Sequence, residues 1–285
     1  MKLPPFEYAS PASLAEAISL LAAAGGTAKA IAGGQSLLPT MAFRLASPKL
    51  LVDLRRVPDL DRIGVRADGV HLGAKVRWRD IEEDAQLKRA HPLLVAAVAH
   101  VAHYQIRNRG TVGGSLAHAD PAAEMPGIAV TCDAEIVVAG SRGLRTVRAA
   151  DFFLGPLSTV LAEDELITEV RLPSWPEKRR WGFEEFALRR GDFALAGVAL
   201  FYDVDGTGRA MDAHIGVIGA CHRPHRLAEV ETVLNGRIID QAAIQSAARV
   251  AEKAVEPPGD LHASAAYRCS LVGTLLERAL TRASG

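Results

Sequence analysis

Apolar residues recur with a helical period near the start of the chain. Between residues 14 and 21 they fall at positions that share one face of a helix. Ser13 and Glu16 have the spacing of a capping box, in which each residue caps the backbone of the other. The pattern therefore predicts a first helix that opens near Ser10-Pro11 and stops at Gly25-Gly26.

Short apolar runs and helical periods alternate along the rest of the first 170 residues. Runs that fit buried strands occupy residues 28–32, 49–54, 70–74, 134–139, 145–148 and 166–172, and helical spacing covers 78–88 and 92–103. The glycine-rich stretch 110–120 is predicted to be a loop. This alternation predicts a unit that mixes α and β structure.

A change of pattern at Pro173–Arg180, where two prolines and three basic residues occur together, predicts a domain boundary. The predicted domains span residues 1–174 and 175–285. Beyond the boundary, strands are predicted at 184–188, 198–205 and 213–218, and helices at 226–234, 240–255 and 263–282. The second domain is thus predicted to be α+β, with an antiparallel sheet followed by helices. A length of 285 residues agrees with about two domains, at about 150 residues per domain.

Composition narrows the classes of protein that the chain can belong to. The 33 basic and 33 acidic residues cancel, so there is no long-range attraction for nucleic acid or anionic lipid. The three cysteines, Cys132, Cys221 and Cys269, are too far apart for a zinc ribbon or an iron–sulfur cluster held by this chain alone. Unpaired cysteines favour reduced thiols and a cytoplasmic protein. We expect neither a signal peptide nor a transmembrane helix.

Two glycine pairs suggest the chemistry. Gly33-Gly34 precedes Gln35-Ser36, and Gly113-Gly114 precedes Ser115. Paired glycines permit a left-handed backbone and let successive N–H groups converge on an anion. Two such loops can hold the two phosphates of a dinucleotide, although no Gly-x-Gly-x-x-Gly fingerprint is present. The alternative is that each pair forms only a tight turn.

The segments around these glycines resemble a known family. Ala32-Gly33-Gly34-Gln35-Ser36-Leu37-Leu38-Pro39 resembles the first FAD-binding loop of the flavoprotein subunits of molybdenum hydroxylases, the family of the carbon monoxide dehydrogenase medium subunit and the xanthine dehydrogenase FAD domain. Residues 111–121, Thr-Val-Gly-Gly-Ser-Leu-Ala-His-Ala-Asp-Pro, resemble the second loop. Four other segments match family signatures in family order: Pro4–Tyr8, Leu51–Leu54, Arg190–Ala194 and Pro224–Arg226.

The resemblance implies a fold and a cofactor. Residues 1–174 would form the two-subdomain FAD-binding fold of the vanillyl-alcohol-oxidase (PCMH) type, with subdomains at about 1–57 and 58–174. Residues 175–285 would form the C-terminal domain of the CO dehydrogenase flavoprotein type. FAD would lie non-covalently between the subdomains, its pyrophosphate on the two loops, with Asp120 on the adenosine side and Asp192 near the isoalloxazine. The implied cofactor-binding residues are Ala32, Gly33, Gly34, Gln35, Ser36, Leu37, Thr111, Gly113, Gly114, Ser115, Ala119, Asp120 and Asp192.

Three positions depart from the family pattern. Gln35 stands where many relatives carry His, and because an amide is no nucleophile, a covalent flavin at this position is excluded. Ser115 replaces a common Asn or Asp and keeps a donor of shorter reach. The stretch around Glu124 also differs from the family.

A substitution of Gly34 by valine is expected to intrude on the pyrophosphate.

The function implied by the resemblance is electron transfer. The chain would take electrons from the [2Fe–2S] clusters of a small partner subunit, while a large molybdopterin subunit hydroxylates the substrate, and would pass them to an external acceptor. A heterotrimer or its dimer is expected, with no catalytic residue beyond the flavin and no metal in this chain. The alternatives are a stand-alone FAD oxidase or dehydrogenase of the same fold and a binding module that has lost the flavin.

Other residues allow more than one interpretation. His100 and His103 are spaced as helical metal ligands, but no carboxylate or cysteine stands beside them, which favours packing or surface roles. The Cys-His-Arg-Pro-His segment 221–225 contains a proline that breaks helical spacing, so a turn is favoured over a metal site. The basic runs 178–180 and 189–190 indicate a solvated face or a contact with a partner subunit. Asp192 is either a turn residue or a flavin neighbour.

Overall fold

The computed structural model describes residues 2–285, which begin with a small parallel sheet. Its three strands are β1 (Glu7–Ala9), β2 (Ala28–Ile31) and β3 (Leu50–Asp53), in the order β1-β3-β2. Helices α1 (Leu14–Ala23) and α2 (Leu37–Ala42) lie between them in the chain. Because parallel strands end at the same edge of a sheet, the chain after Ile31 and after Asp53 emerges side by side.

The first helix was predicted correctly. Ser13 Oγ accepts a hydrogen bond from the Glu16 N–H at 3.2 Å. The Glu16 carboxylate accepts one from the N–H of Ala12 at 2.8 Å, and not from that of Ser13 as in a capping box. Gly25 and Gly26 both have positive φ just beyond its end. The buried face of the helix packs against the parallel sheet. The helical spacing of apolar residues between positions 14 and 21 therefore marks the face that lies in the core.

A five-stranded antiparallel sheet follows. Its strands are β4 (Ile63–Arg66), β5 (Gly69–Gly73), β6 (Glu135–Gly140), β7 (Gly143–Arg148) and β10 (Leu166–Pro173), in the order β4-β5-β10-β6-β7. Between β7 and β10 lie α9 (Ala149–Phe152) and the hairpin of β8 (Phe153–Gly155) and β9 (Ser158–Thr159). The predicted strands at 70–74, 134–139, 145–148 and 166–172 are confirmed, whereas β1 and β4 were not predicted.

The helices between β5 and β6 are more divided than predicted. They are α3 (Trp78–Glu83), α4 (Ala85–Ala90), α5 (Pro92–Val98), α6 (Tyr104–Arg107), α7 (Val112–His118) and α8 (Glu124–Thr131). The single helix predicted over 78–88 is wrong. It breaks at Asp84, whose Oδ1 accepts the N–H groups of Gln86 and Leu87 and so starts a new helix. The helix predicted over 92–103 ends early, at Val98.

The loop predicted at 110–120 is also wrong, because its second glycine pair lies in the first turn of α7. Thr111 Oγ1 caps this helix by accepting the Gly114 N–H at 3.2 Å. A Cβ on Gly113 would lie 2.6 Å from the Cβ of Ala74. Gly113 therefore permits close packing of α7 against the end of β5, and this tertiary contact overrides the poor helix propensity of glycine.

The C-terminal part is the predicted α+β unit. Strands β11 (Arg180–Phe186), β12 (Ala196–Val204), β13 (Ala210–Ile218) and β14 (His225–Arg226) form an antiparallel sheet in chain order, and helices α10 (Ala228–Leu234), α11 (Gln241–Ala254) and α12 (Ala265–Ser284) follow. The fold class is therefore confirmed.

Helix α8 joins the two parts of the molecule. A Cβ on Gly127 of this helix would lie 2.4 Å from Cγ1 of Ile218, and a Cβ on Gly216 would lie 1.8 Å from Oγ1 of Thr131. Both glycines thus allow α8 to lie directly on β13. Phe183, Phe201 and Ile218 from the C-terminal sheet also belong to the hydrophobic core of the antiparallel sheet before it.

Candidate cofactor-binding site

The two glycine segments meet in the folded chain. A Cβ on Gly33 would lie 2.1 Å from the carbonyl oxygen of Arg109, so only glycine permits this approach of two backbones. Next to the contact is a cleft of about 630 Å³, a volume within the usual range for small-molecule sites. The cleft is lined by Ala32, Gly33, Asp53, Arg55, Asp61, Lys75, Arg77, Asp80, Asn108, Arg109 and Thr111.

The first loop presents a row of free donors. Gly34 has a φ of +71°, and the Gln35 side-chain amide donates to the Gly33 carbonyl at 3.0 Å, which fixes the turn before α2. Across residues 2–285, the backbone N–H groups of positions 33–37 donate to no protein acceptor. Five successive unused amides at a left-handed turn fit an anion with several oxygens, such as a pyrophosphate.

The second glycine segment contributes differently. The N–H groups of Val112 and Gly113 donate to the carbonyls of Val76 and Ala74, each at 2.9 Å, and the Gly114 N–H donates to Thr111. The expectation that both glycine pairs offer free amides is therefore wrong for the second pair. The donors that remain near this turn are hydroxyls, and Thr111 lines the cleft directly.

The cleft is lined by both charges, with Arg55, Lys75, Arg77 and Arg109 against Asp53, Asp61 and Asp80. Arg55 is paired with Asp53, and Lys75 donates to the Val57 carbonyl at 2.6 Å. Arg77 and Arg109 have no ion-pair partner in the part of the chain that the structure describes. Two free guanidinium groups beside the unused amides suit phosphate oxygens.

Asp53 stabilises the edge of the parallel sheet on which the first loop is carried. Its carboxylate accepts the Tyr8 hydroxyl at 2.6 Å and the N–H and Nε–H of Arg55 at 2.8 and 2.7 Å. Burial acts to raise the pKa of this carboxyl, but these hydrogen bonds outweigh burial and hold the pKa below its usual value. Asp53 is thus an ionised group that orders the chain after β3.

Other residues that the sequence assigned to the cofactor lie beyond this cleft. Ala119 ends α7 in the left-handed conformation, with φ +54°, and is buried. The next residue, Asp120, accepts the Ala122 N–H at 2.9 Å. Asp192 is exposed on a turn and is not among the residues that line the cleft; its neighbour Gly191 packs against the His103 ring.

A Cβ at position 34 would face the side chains of Leu38 and Ile31, at 3.2 and 3.3 Å. The expected intrusion of a valine on the pyrophosphate is therefore wrong in its reason. A substitution there would act through the positive φ and the shape of the loop.

Sequence patterns did not find the polar residues that line the cleft from outside the glycine segments. Asp53 ends β3, whereas Lys75 and Arg77 lie in the short connection between β5 and α3, far from Asp53 in the sequence. The one usable signal was the position of Asp53 at the carboxyl end of a predicted parallel strand, where ligands commonly bind.

The histidine and cysteine candidates have ordinary neighbours. His100 lies beside Phe183 and Glu185, with its Nδ1 3.8 Å from Oε1 of Glu185. Cys221 is buried, and burial raises the pKa of its thiol to about 12. No group of three or more His, Cys, Asp or Glu side chains suited to a metal ion occurs within residues 2–285.

Comparison with known proteins agrees with this geometry. Residues 4–175 match the FAD binding domain in molybdopterin dehydrogenase, and residues 181–283 match the CO dehydrogenase flavoprotein C-terminal domain. Of the helices in the described chain, none has the length and apolar character to cross a membrane.

Individual relatives resemble the chain over almost its whole length. It is 43% identical to the nicotine 6-hydroxylase medium subunit of Paenarthrobacter nicotinovorans, with 99% of each chain covered. It superposes on a chain of quinoline 2-oxidoreductase from Pseudomonas putida 86 with a TM-score of 0.95 and 40% identity, covering 100% of this chain and 98% of the other. For a chain of carbon monoxide dehydrogenase from Hydrogenophaga pseudoflava the TM-score is 0.96 and the identity 36%, covering 99% and 98%.

Proposed function

Because this chain belongs to the FAD-binding medium subunits of the molybdenum hydroxylases, we propose that it relays electrons from [2Fe–2S] clusters of a partner subunit to an external acceptor. It is an oxidoreductase subunit, and FAD is its cofactor. Bound FAD supplies a ring that accepts and releases electrons singly or in pairs. The protein positions that ring and sets its electrostatic surroundings.

The observation that carries this proposal is the row of free amides at positions 33–37. These amides would hold the pyrophosphate, with the Thr111 hydroxyl and the free guanidinium groups of Arg77 and Arg109 beside them. Gly113 and Gly114 would serve by letting α7 pack closely enough to present Thr111. The predictions for Ser115 at the pyrophosphate, Asp120 on the adenosine side, Asp192 near the ring and Ala119 as a further cofactor-binding residue stay predictions.

The proposal of partner subunits is supported by the relatives, which are medium subunits or medium chains by name, and the cysteines of this chain are compatible with it. Cys132 and Cys221 are buried in different cores and Cys269 lies on α12, so no cluster site forms among residues 2–285. The iron–sulfur relay and the molybdopterin centre would therefore sit on a small and a large partner subunit. We propose a heterotrimer, or its dimer, in the cytoplasm, and we propose that residues 1–174 and 175–285 are its two domains.

Reconstitution with FAD tests the cofactor site. We expect the purified full chain to show a flavin spectrum, or to gain one on addition of FAD. Gly34→Ala should weaken FAD binding at least tenfold, because alanine disfavours the left-handed turn that aligns the free amides. Gly25→Ala is the matched control: Gly25 also has positive φ, +50°, and a Cβ at this position would have nothing within 4 Å.

The outcomes separate the alternatives. Equal loss of folding stability in both glycine variants, with loss of FAD affinity in Gly34→Ala alone, would support the cradle. A chain that never binds FAD would rule out the electron-transfer function. Turnover of a small substrate by the chain without other subunits would instead favour a stand-alone oxidase or dehydrogenase.

A further inference from the structure

Three large apolar side chains are exposed on two neighbouring turns. Leu188 and Phe193 lie in the connection between β11 and β12, and Tyr104 begins α6; the exposed fractions of the three residues are 58%, 65% and 57%. Arg189 and Arg190, between the two apolar residues of the first turn, are exposed as well. We refer to these five residues as the Tyr104–Phe193 surface. Exposed apolar side chains that lie together commonly mark a site of protein–protein contact.

The two turns are in direct contact. Gly191 has a φ of +88°, and a Cβ at this position would lie 2.5 Å from Nδ1 of His103 and 2.9 Å from the carbonyl oxygen of Ala102. Only glycine allows the β11–β12 connection to lie so closely on the residues before α6. Because Tyr104 follows His103 and the other four residues flank Gly191, all five side chains start close to this contact.

The backbone beneath the Tyr104–Phe193 surface is fixed on both sides. Nη1 of Arg107 donates to the carbonyls of Val101 and Ala102 at 3.0 and 2.9 Å, which holds Ala102 at a φ of +42°, a costly conformation for alanine. Nη1 of the buried Arg268 donates to the carbonyl of Leu195 at 2.6 Å, at the end of the β11–β12 connection. Turns that are already ordered lose little conformational entropy when a partner binds, so this surface is suited to docking.

The side chains of the surface are of the kinds that protein interfaces favour. Aromatic residues and arginine are enriched at the centres of interfaces, where lysine and glutamate are depleted. Within residues 2–285, Arg189 and Arg190 form no ion pair and donate no side-chain hydrogen bond. Asp192 is the one acidic residue of the connection, so the connection carries a net positive charge. The matching partner surface is therefore apolar and negatively charged.

This charge distinguishes between the partners that could cover the surface. In a symmetric dimer of this chain the same patch would meet itself, which would place Arg189 and Arg190 against their own copies. A [2Fe–2S] cluster held by cysteine thiolates instead carries a net negative charge. The subunit that binds such clusters thus offers the opposite charge where it approaches this chain.

We propose that the Tyr104–Phe193 surface is the docking site of the small, [2Fe–2S]-bearing partner subunit. The inference rests on the proposed function, which supplies this partner. Tyr104, Leu188 and Phe193 form the apolar centre of the contact, and Arg189 and Arg190 bind acidic groups at its edge. The apolar centre supplies affinity through burial, while the arginines orient the partner and speed its association.

Co-purification of iron tests this assignment. The complex is isolated through a tag on this chain from cells that make all of its subunits, and iron, acid-labile sulfide and molybdenum are measured per tagged chain. In the double variant Arg189→Glu/Arg190→Glu and in Phe193→Asp, iron and sulfide should fall by about tenfold or more. The thermal midpoints of the isolated chains should stay unchanged, because these side chains are exposed. Arg249→Glu and Leu144→Ser, at exposed positions on α11 and β7, are the controls and should retain the wild-type iron content.

The other outcomes each have a distinct meaning. Unchanged iron and sulfide in both surface variants would overturn the docking site and leave the proposed function standing. A wild-type chain that co-purifies with no [2Fe–2S] protein would overturn both. Loss of molybdenum with iron retained would assign the surface to the large subunit. A dimer of the isolated full chain that Phe193→Asp separates in sedimentation would assign it to a second copy. Either of the last two results would overturn the proposal.

The contribution of charge has a separate measurement. Dissociation of the small subunit from the wild-type chain should become faster as the salt concentration rises, because salt screens the attraction between exposed charges. The neutral double variant Arg189→Gln/Arg190→Gln should lose most of this dependence. A salt dependence equal to that of the wild type would contradict the role of the two arginines.

Photocrosslinking tests the site without weakening the contact. With p-benzoylphenylalanine in place of Phe193, irradiation of the intact complex should yield a covalent product with the small subunit, identified by mass spectrometry of the joined peptides. The same group in place of Leu144 should yield no such product. A peptide of the large subunit or of a second copy joined at position 193 would refute the assignment.

Discussion

At the scale of single residues, the neighbours Gly33 and Gly34 serve different purposes. Gly33 is required because its Cα approaches the backbone of Arg109, while Gly34 is required because its φ is +71°. One glycine thus joins two segments, and the other shapes the turn that exposes five amides. The sequence shows two identical letters and cannot distinguish these roles.

Asp53 gives a prediction on pH. Asp53→Asn should lower the free energy of unfolding at pH 7 by about 2 kcal/mol, because the ionised carboxylate accepts three hydrogen bonds, two of them from Arg55. The folded-state pKa of Asp53 is lowered, so its stabilisation is present above the unfolded pKa of about 4 and is lost as pH falls through the folded value. Denaturant unfolding at several pH values measures this.

The difference between wild type and Asp53→Asn should therefore shrink below about pH 4. Tyr8→Phe, which removes one donor and keeps the carboxylate, should show a smaller loss at pH 7. A difference that is the same at pH 3 and pH 7 would contradict the assignment.

At the scale of elements, sequence patterns succeeded for two kinds of segment. Helix α1 has one buried face and was predicted from its helical period, while strands such as β5, β6 and β12 are buried on both faces over most of their length and were predicted as short apolar runs. Helix α8 is buried along its whole length, so no polar face marks its period, and it was not predicted. Helix α7 was taken for a loop because its first turn contains two glycines, which only its packing on Ala74 explains.

The cap of α7 leads to the second prediction. Thr111→Val keeps the shape of the side chain but removes the oxygen that accepts the Gly114 N–H, so stability should fall by about 1 kcal/mol. The hydroxyl hydrogen is not used by this bond and is free to donate to a phosphate. FAD affinity should therefore fall together with stability in Thr111→Val.

Thr111→Ser is the matched control. It keeps the hydroxyl and should preserve both the cap and most of the FAD affinity in a fluorescence titration. If Thr111→Val binds FAD as the wild type does, the hydroxyl has a structural role only.

At the scale of the whole molecule, the two parts of the chain share a core. The composition break at Pro173–Arg180 predicted a boundary in sequence, but it gave no information on packing across it. Side chains from β11, β12 and β13 complete the core of the preceding antiparallel sheet, and Arg226 adds an ion pair to Asp133 at 2.9 Å. Contacts between distant elements depend on the shapes of the two packed surfaces, and the spacing of apolar residues within one element does not reveal those shapes.

The seat of α8 on β13 gives the third prediction. Gly216→Ala should destabilise the chain by about 1–3 kcal/mol, because its Cβ would lie 1.8 Å from Thr131 Oγ1 and push the sheet from the helix. Adding Thr131→Ala removes that oxygen and should recover part of the loss in denaturant unfolding. Gly206→Ala, with nothing within 4 Å of its Cβ, should have little effect.

If the double variant is no more stable than Gly216→Ala, the contact with Thr131 is not the cause of the destabilisation. If calorimetry of Gly216→Ala shows separate unfolding transitions for the two parts of the chain, the contact of α8 with β13 is what makes them unfold together.

The close seat of α8 also defines what evolution can exchange between relatives. A chimera joined between residues 175 and 181 would pair a C-terminal sheet from a relative with the α8 of this chain. The two close contacts, of position 127 with position 218 and of position 131 with position 216, would then each join residues from different parents. The unit that must be exchanged as a whole is therefore the C-terminal sheet together with α8, which lies some fifty residues before that sheet in the sequence. Recombination at the sequence boundary near Pro173–Arg180 would separate these two packed elements.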